Sequence, residues 1–154
     1  MADEIDLGGF LLRTYDKIRY GDTDRQGHVN NAVFATFLES GRVEILYNEG
    51  NPLADPGCAF VIAQLVLNFR AEVTWPGTVE IGTRVASVGR SSIRLEQALF
   101  QGGRCVATAE TTIVQMDETT RRSSPLSAGA VERLSALKPA AQARAPSEDS
   151  SLGN

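Results

Sequence analysis

The amino-acid sequence predicts an α+β protein of one domain, in which a curved, five-stranded antiparallel sheet wraps around a single long helix. Three observations carry that prediction. One helical stretch with an apolar stripe is preceded by one β-type segment and followed by four. The late β-type segments are separated by the short turns "GRS" and "QGG", a hairpin signal. The stripe on the helix needs a cover, and one sheet curled around it supplies that cover. With 154 residues the chain is one domain's worth and long enough to bury a core.

The first strand is read in "LLRTYDKIRY", Leu11 to Tyr20, which is rich in β-formers and ends at Gly21. From Asn31 the period changes. Phe34, Phe37, Leu38, Gly41, Ile45 and Leu46 recur at three- and four-residue steps, and Glu39, Arg42 and Glu44 carry the charge. The run stops at Gly50 before Asn51-Pro52, giving a helix of about four to five turns. Gly41 in its middle costs about 1 kcal/mol against Ala, which predicts close approach of another backbone on that face. An i,i+3 pairing of Glu39 with Arg42 is expected on the solvent side.

Between Val61 and Val73 the odd positions are apolar, while Gln64, Asn68, Arg70 and Glu72 are polar, so a long strand with one buried face is expected. "WPGT" turns the chain. "VEIGTRVASV", "SIRLEQALF" and "RCVATAETTIVQM" follow as three more strands in meander-like order, and "LSAGAVERLSAL" is a short terminal helix. We divide the chain into a domain over 1–137 and a tail over 138–154, whose Ala, Pro and Ser content predicts disorder. The open sheet edges invite association of two copies.

Charge and composition remove several functions. A formal net charge of −4 disfavours nucleic acid or an anionic membrane as the main partner. The acidic start "MADEIDLGGF" has no signal-peptide pattern, no stretch approaches the roughly 20 apolar residues of a membrane span, and a cytoplasmic protein is expected. The two cysteines, Cys58 and Cys105, have no metal-ligand spacing and read as reduced core thiols.

One stretch resists the bland reading. "YGDTDRQGHVNN", Tyr20 to Asn31, holds two acids, the only histidine, a glycine and two asparagines where a strand meets the central helix. "DTDRQG" resembles the first half of a calcium loop, but Val33 stands where the bidentate Glu belongs. One histidine without a nearby cysteine makes no zinc site, so no metal is expected. A polar turn with capping Asp and Asn residues explains only part of the cluster. The junction suits chemistry: the first amides of a helix have no internal partner and can polarise a carbonyl, and a carboxylate alongside can act as base or nucleophile.

With "FLESGR" following it, this motif resembles the 4-hydroxybenzoyl-CoA thioesterase class of hotdog-fold acyl-CoA thioesterases, and the resemblance runs from about Ile18 to Leu126 through "VLNFRAEVTWPGTVEIGTRV", "GRSSI" and "VQMDETTRRSSPL". It implies a hotdog domain, pairing into a homodimer or homotetramer with sites at the interface, and no cofactor. The implied reaction is hydrolysis of an acyl-CoA to a carboxylic acid and CoA, with acyl carrier protein as the alternative thiol carrier. Asp24 then matches the catalytic carboxylate, as base or nucleophile, and Asp22 is structural. The oxyanion donor falls on the backbone amide at or next to Asn31. His28 orients the thioester or assists proton transfer, Asn30 hydrogen-bonds across the loop, and Arg90, Ser91 and Ser92 hold the CoA phosphates. The rivals within the same fold are an enoyl-thioester hydratase or dehydratase, whose Asp-to-His spacing is five rather than the four found here, and a non-catalytic acyl-binding module.

Overall fold

The computed structural model describes residues 4–47 and 50–139. Its strands are β1 (Leu12–Lys17), β2 (Cys58–Phe69), β3 (Thr78–Val88), β4 (Ser92–Gln101) and β5 (Arg104–Asp117); its helices are α1 (Asn31–Leu46) and α2 (Ala128–Ser135). All pairings are antiparallel and form one sheet in the order β1-β3-β4-β5-β2. This is the hotdog architecture expected from the sequence. Most of the expected tail, residues 140–154, lies outside the described residues. No described helix is long and apolar enough to cross a membrane.

The helix sits on the sheet through two apolar clusters. Around its N-terminal half Phe34, Phe37 and Leu38 pack on Ile81, Leu99 and Ala107; around its C-terminal half Ile45 and Leu46 pack with Val85, Ile93, Leu95 and Ile113. Each large side chain fully removed from water stabilises by roughly 1.5–3 kcal/mol, so the two clusters fix the helix against the sheet. Between them runs a polar seam. Gly41 brings the helix down onto it: a Cβ there would lie 2.7 Å from Ile81 Cγ2 and 2.8 Å from Thr83 Oγ1. Buried Gln97 donates to the Leu38 carbonyl at 2.9 Å and to Thr83 Oγ1 at 3.0 Å.

Three expectations need correction. The strands are not a simple meander, because β2 leaves β3 to pair with β5 at the far edge, and only β3-β4-β5 follow sequence order. Alternation reports which face a residue takes and carries nothing about which strand lies beside it. Secondly, the face of β2 that alternation predicts as buried is only partly covered: Val61 and Phe69, at its odd positions, are exposed, as are Ile62 and Val66 at even ones. Their strand is an edge, and α1 reaches only part of it. Thirdly, Arg42 does not pair with Glu39 on the solvent side. Leu38, Gly41, Arg42 and Ile45 share one helical stripe, so Arg42 is buried and its Nη1 lies 3.5 Å from Gln97 Oε1. Burial pushes the Arg42 guanidinium pKa down, and the charge of Glu39 pulls it back up.

Candidate active site

The polar motif folds as a tight loop sewn on both sides to its surroundings. Asp22 is buried: its carboxylate accepts from the Arg19 amide at 2.8 Å and from the Arg19 guanidinium at 3.1 Å, and its carbonyl accepts the Asn30 amide at 2.8 Å. A carboxylate so enclosed holds the loop closed. Asp24 points outward. Its Oδ1 accepts the Gln26 amide at 2.8 Å and the His28 amide at 3.2 Å, and its own amide donates to the His28 carbonyl at 2.8 Å. Gly27, at φ 81°, supplies the left-handed residue that this reversal needs.

The helix start leaves one amide free. Asn30 is the N-cap: its side-chain oxygen accepts the Ala32 amide at 3.0 Å and its carbonyl accepts the Val33 amide at 2.9 Å. The Asn30 amide is taken by Asp22, so among the described residues the Asn31 N–H alone of these four has no acceptor. Asp24 Oδ2 likewise has no partner among them. Asp24 and Asn31 line one cleft of about 390 Å³, together with Gln26, His28, Phe34, Phe69, Arg70 and Glu72. Phe34 and Phe69 meet edge to face at 5.0 Å as its apolar wall. A carboxylate oxygen and a helix-terminal N–H on one cleft can activate water, or attack directly, beside a polarised carbonyl.

The remaining sequence candidates divide. His28 is in the cleft, with Nε2 3.1 Å from Glu72 Oε2. Asn30 is adjacent but its side-chain oxygen is committed to capping, and it does not line the cleft. Arg90, Ser91 and Ser92 lie at the other end of the sheet: Ser92 is opposite Val114 and Val114 opposite Val61, whereas the cleft stands at Phe69. Eight residues along β2 separate these ends, roughly 26 Å at ~3.3 Å per residue. At that corner the Leu126 amide bonds the Arg90 carbonyl and the Arg122 carbonyl accepts the Asp117 amide, so Arg121 and Arg122 join the same turn region. The Asp117 carboxyl is held below its usual range by the amides of Thr120 and Thr119.

Two features escaped the sequence. Glu72 had no signal beyond a polar position in an alternating strand. A second cavity of about 240 Å³, lined by Glu39, Arg42, Leu46, Phe60 and Ile62 among others, opens beside the first half of β2. The cysteines are free, and burial raises the Cys105 thiol against a smaller downward pull from Arg70.

Residues 18–134 match the family model of the thioesterase-like superfamily. Among solved structures the chain is similar to a thioesterase of Thermus thermophilus complexed with coenzyme A and zinc, at 30% identity and a TM-score of 0.72, covering 84% of this chain and 96% of that one. It is also similar to the probable thioesterase YbaW of Escherichia coli, at 27% identity and a TM-score of 0.69, covering 82% and 98%. A curated relative, the chloroplast acyl-acyl carrier protein thioesterase ATL2 of Arabidopsis thaliana, is 31% identical over 88 residues, 55% of this chain and 47% of that protein. The chain matches about half the length of that relative.

Proposed function

Because the chain belongs to the thioesterase-like superfamily, we propose that it hydrolyses an acyl-CoA to the free carboxylic acid and CoA, with Asp24 as base or nucleophile. The observation that carries this reading is the pairing of two free valences on one cleft: Asp24 Oδ2 and the Asn31 N–H. The thioester carbonyl oxygen accepts from the Asn31 amide, where the helix dipole adds to the single hydrogen bond. As base, Asp24 takes the proton of a water that adds to the carbonyl carbon, the C–S bond breaks, and the leaving thiolate receives that proton to become CoA thiol. As nucleophile, Asp24 displaces the thiolate, which takes a proton from solvent, and forms a mixed anhydride that water then cleaves to the carboxylic acid and free Asp24. His28 orients the thioester or moves a proton beside it, and Asn30 supports the site through the helix cap.

CoA is favoured as carrier by the Thermus relative, whose structure holds coenzyme A. Acyl carrier protein is the second reading, favoured by the Arabidopsis relative. The exposed edge of β2, with Val61, Ile62, Val66 and Phe69, supports a symmetric homodimer. Two such edges paired antiparallel about Leu65 would set Phe69 of one copy against Val61 of the other. Each Asp24 cleft would then adjoin the second copy's Glu39–Arg42 cavity, and the second copy's Arg90, Ser91 and Ser92 would be carried toward the CoA phosphates, for which guanidinium geometry is suited. Further pairing gives the homotetramer. A cytoplasmic setting accords with the free thiols of Cys58 and Cys105, and we read 1–137 as the domain.

Release of free thiol from a panel of acyl-CoAs and acyl carrier protein thioesters tests the reading. Thiol release supports it, and the better carrier decides between the two. Hydration of an enoyl-CoA without thiol release would make the protein a hydratase, and binding without turnover an acyl-binding module.

A further inference from the structure

Glu72 is, by sequence, one more polar residue on an alternating strand; in the structure it has a partner. It follows β2 on the connector to β3, and its Oε2 lies 3.1 Å from His28 Nε2. Backbone bonds fasten the two segments around that contact. The Val29 amide donates to the Val73 carbonyl at 2.8 Å, and His28 bridges Thr74 in antiparallel fashion, which makes Glu72 its diagonal neighbour. His28 in turn closes the Asp24 loop through its own amide and carbonyl. Both side chains line the cleft with Asp24 and Asn31.

We infer that Glu72 is a positioning residue for His28: the two stand at ion-pair distance without a formed hydrogen bond, and a small turn of the exposed Glu72 side chain lets its carboxylate accept from Nε2–H, which leaves Nδ1 as the ring atom that serves the substrate. The inference rests on the reading of Asp24 and His28 given above. The physical reason is the two-sided nature of the ring. A neutral imidazole carries one N–H and one lone pair, and an acceptor at Nε2 directs the N–H there and the lone pair to Nδ1. A proton-handling group held by a third residue is a recurring arrangement in hydrolytic sites, because it fixes both orientation and tautomer before the substrate arrives. The other charged groups on the cleft are Asp24 and Arg70. Glu72 is 70% exposed, so the pair is screened and contributes little to folding stability. Its effect belongs to the rate.

The test uses the full chain and thiol release from the acyl-CoA cleaved fastest. Glu72→Ala should lower kcat about tenfold with KM unchanged within about twofold, and Glu72→Gln, whose amide oxygen can still accept from Nε2–H, should restore most of the loss. In a His28→Ala background the same Glu72→Ala change should alter kcat by less than about twofold, since a residue acting through another has nothing left to position. The chain has a single histidine, so the ring 15N signals are unambiguous, and the population protonated on Nδ1 should rise in Glu72→Ala. Melting curves of all variants should overlay. Equal losses in both backgrounds, a raised KM at constant kcat, or an unchanged kcat in Glu72→Ala would each overturn the inference. Asp24→Asn, measured in parallel, separates the two levels. If it abolishes turnover while Glu72→Ala is silent, only the role of Glu72 fails; if it too is silent, the reading of the site fails.

Discussion

Two polar clusters touch the central helix, and they are built on opposite terms. Under the middle of α1 the seam of Thr83, Gln97 and Arg42 is buried, and Gln97 spends both donors on Leu38 and Thr83. At the N-terminus of α1 the loop is open to solvent and leaves Asp24 Oδ2 and the Asn31 N–H unspent among the described residues. Burial makes an unpaired polar atom cost roughly 1–3 kcal/mol, so the seam is closed on itself and serves architecture. At the rim, exposure to solvent removes that cost, so the free atoms there can stay without a protein partner. The contrast also sorts the two acids of the motif: Asp22 belongs with the enclosed class and Asp24 with the open one.

Variants in the seam and the loop should divide along the same line. Gly41→Ala forces a methyl to within 2.7 Å of Ile81 Cγ2 and Gln97 Nε2; it should cost about 2 kcal/mol in urea unfolding, the order for overpacking a core. A melt indistinguishable from wild type would mean that helix and sheet are less tightly apposed. Asp22→Asn keeps the shape but gives up the charge-assisted bonds to Arg19, and about 1.5 kcal/mol should be lost, with kcat of the folded fraction preserved. Asn30→Ala removes the cap on Ala32 and should cost about 1 kcal/mol. Since the same cap steadies the Asn31 amide, a fall in kcat should accompany it. Thr111 Oγ1 is the one buried side-chain oxygen or nitrogen without a partner among the described residues. Thr111→Val should therefore be neutral or raise stability by about 0.5 kcal/mol; a clear loss would reveal a partner for that hydroxyl.

The elements themselves were legible to within a few residues. "VEIGTRVASV" and "SIRLEQALF" fall within β3 and β4, and the helix begins at Asn31 as its period indicates. The signal is strong because α1 covers one sheet face, so alternation in the sheet and the three-to-four step in the helix record the same burial. A tight contact at Gly41 was legible too, since few other roles justify glycine in a helix middle, but the side chains of Ile81, Thr83 and Gln97 make it rather than the backbone expected there. Strand order was not, because face periodicity is silent about neighbours. Arg42 was misread as a solvent residue because charge outweighed its place on the Leu38–Ile45 stripe. Within the site, the motif pointed to the cleft and to Asp24. The contact of His28 with Glu72 joins residues far apart in sequence, and the freedom of the Asn31 amide follows from where its neighbours' hydrogen bonds go. Neither leaves a mark on composition or spacing.

The central claim is that the open carboxylate, not the enclosed one, does the chemistry. Thiol release by Asp24→Asn and Asp22→Asn, measured side by side on one acyl-CoA with a melting curve for each, tests it most directly. Asp24→Asn should lose about a hundredfold or more in kcat while melting like wild type, the order expected for a positioned base or nucleophile. Asp22→Asn should melt earlier and turn over at nearly the wild-type rate while folded. The reverse pattern, with Asp22 needed for turnover and Asp24 dispensable, would contradict the account.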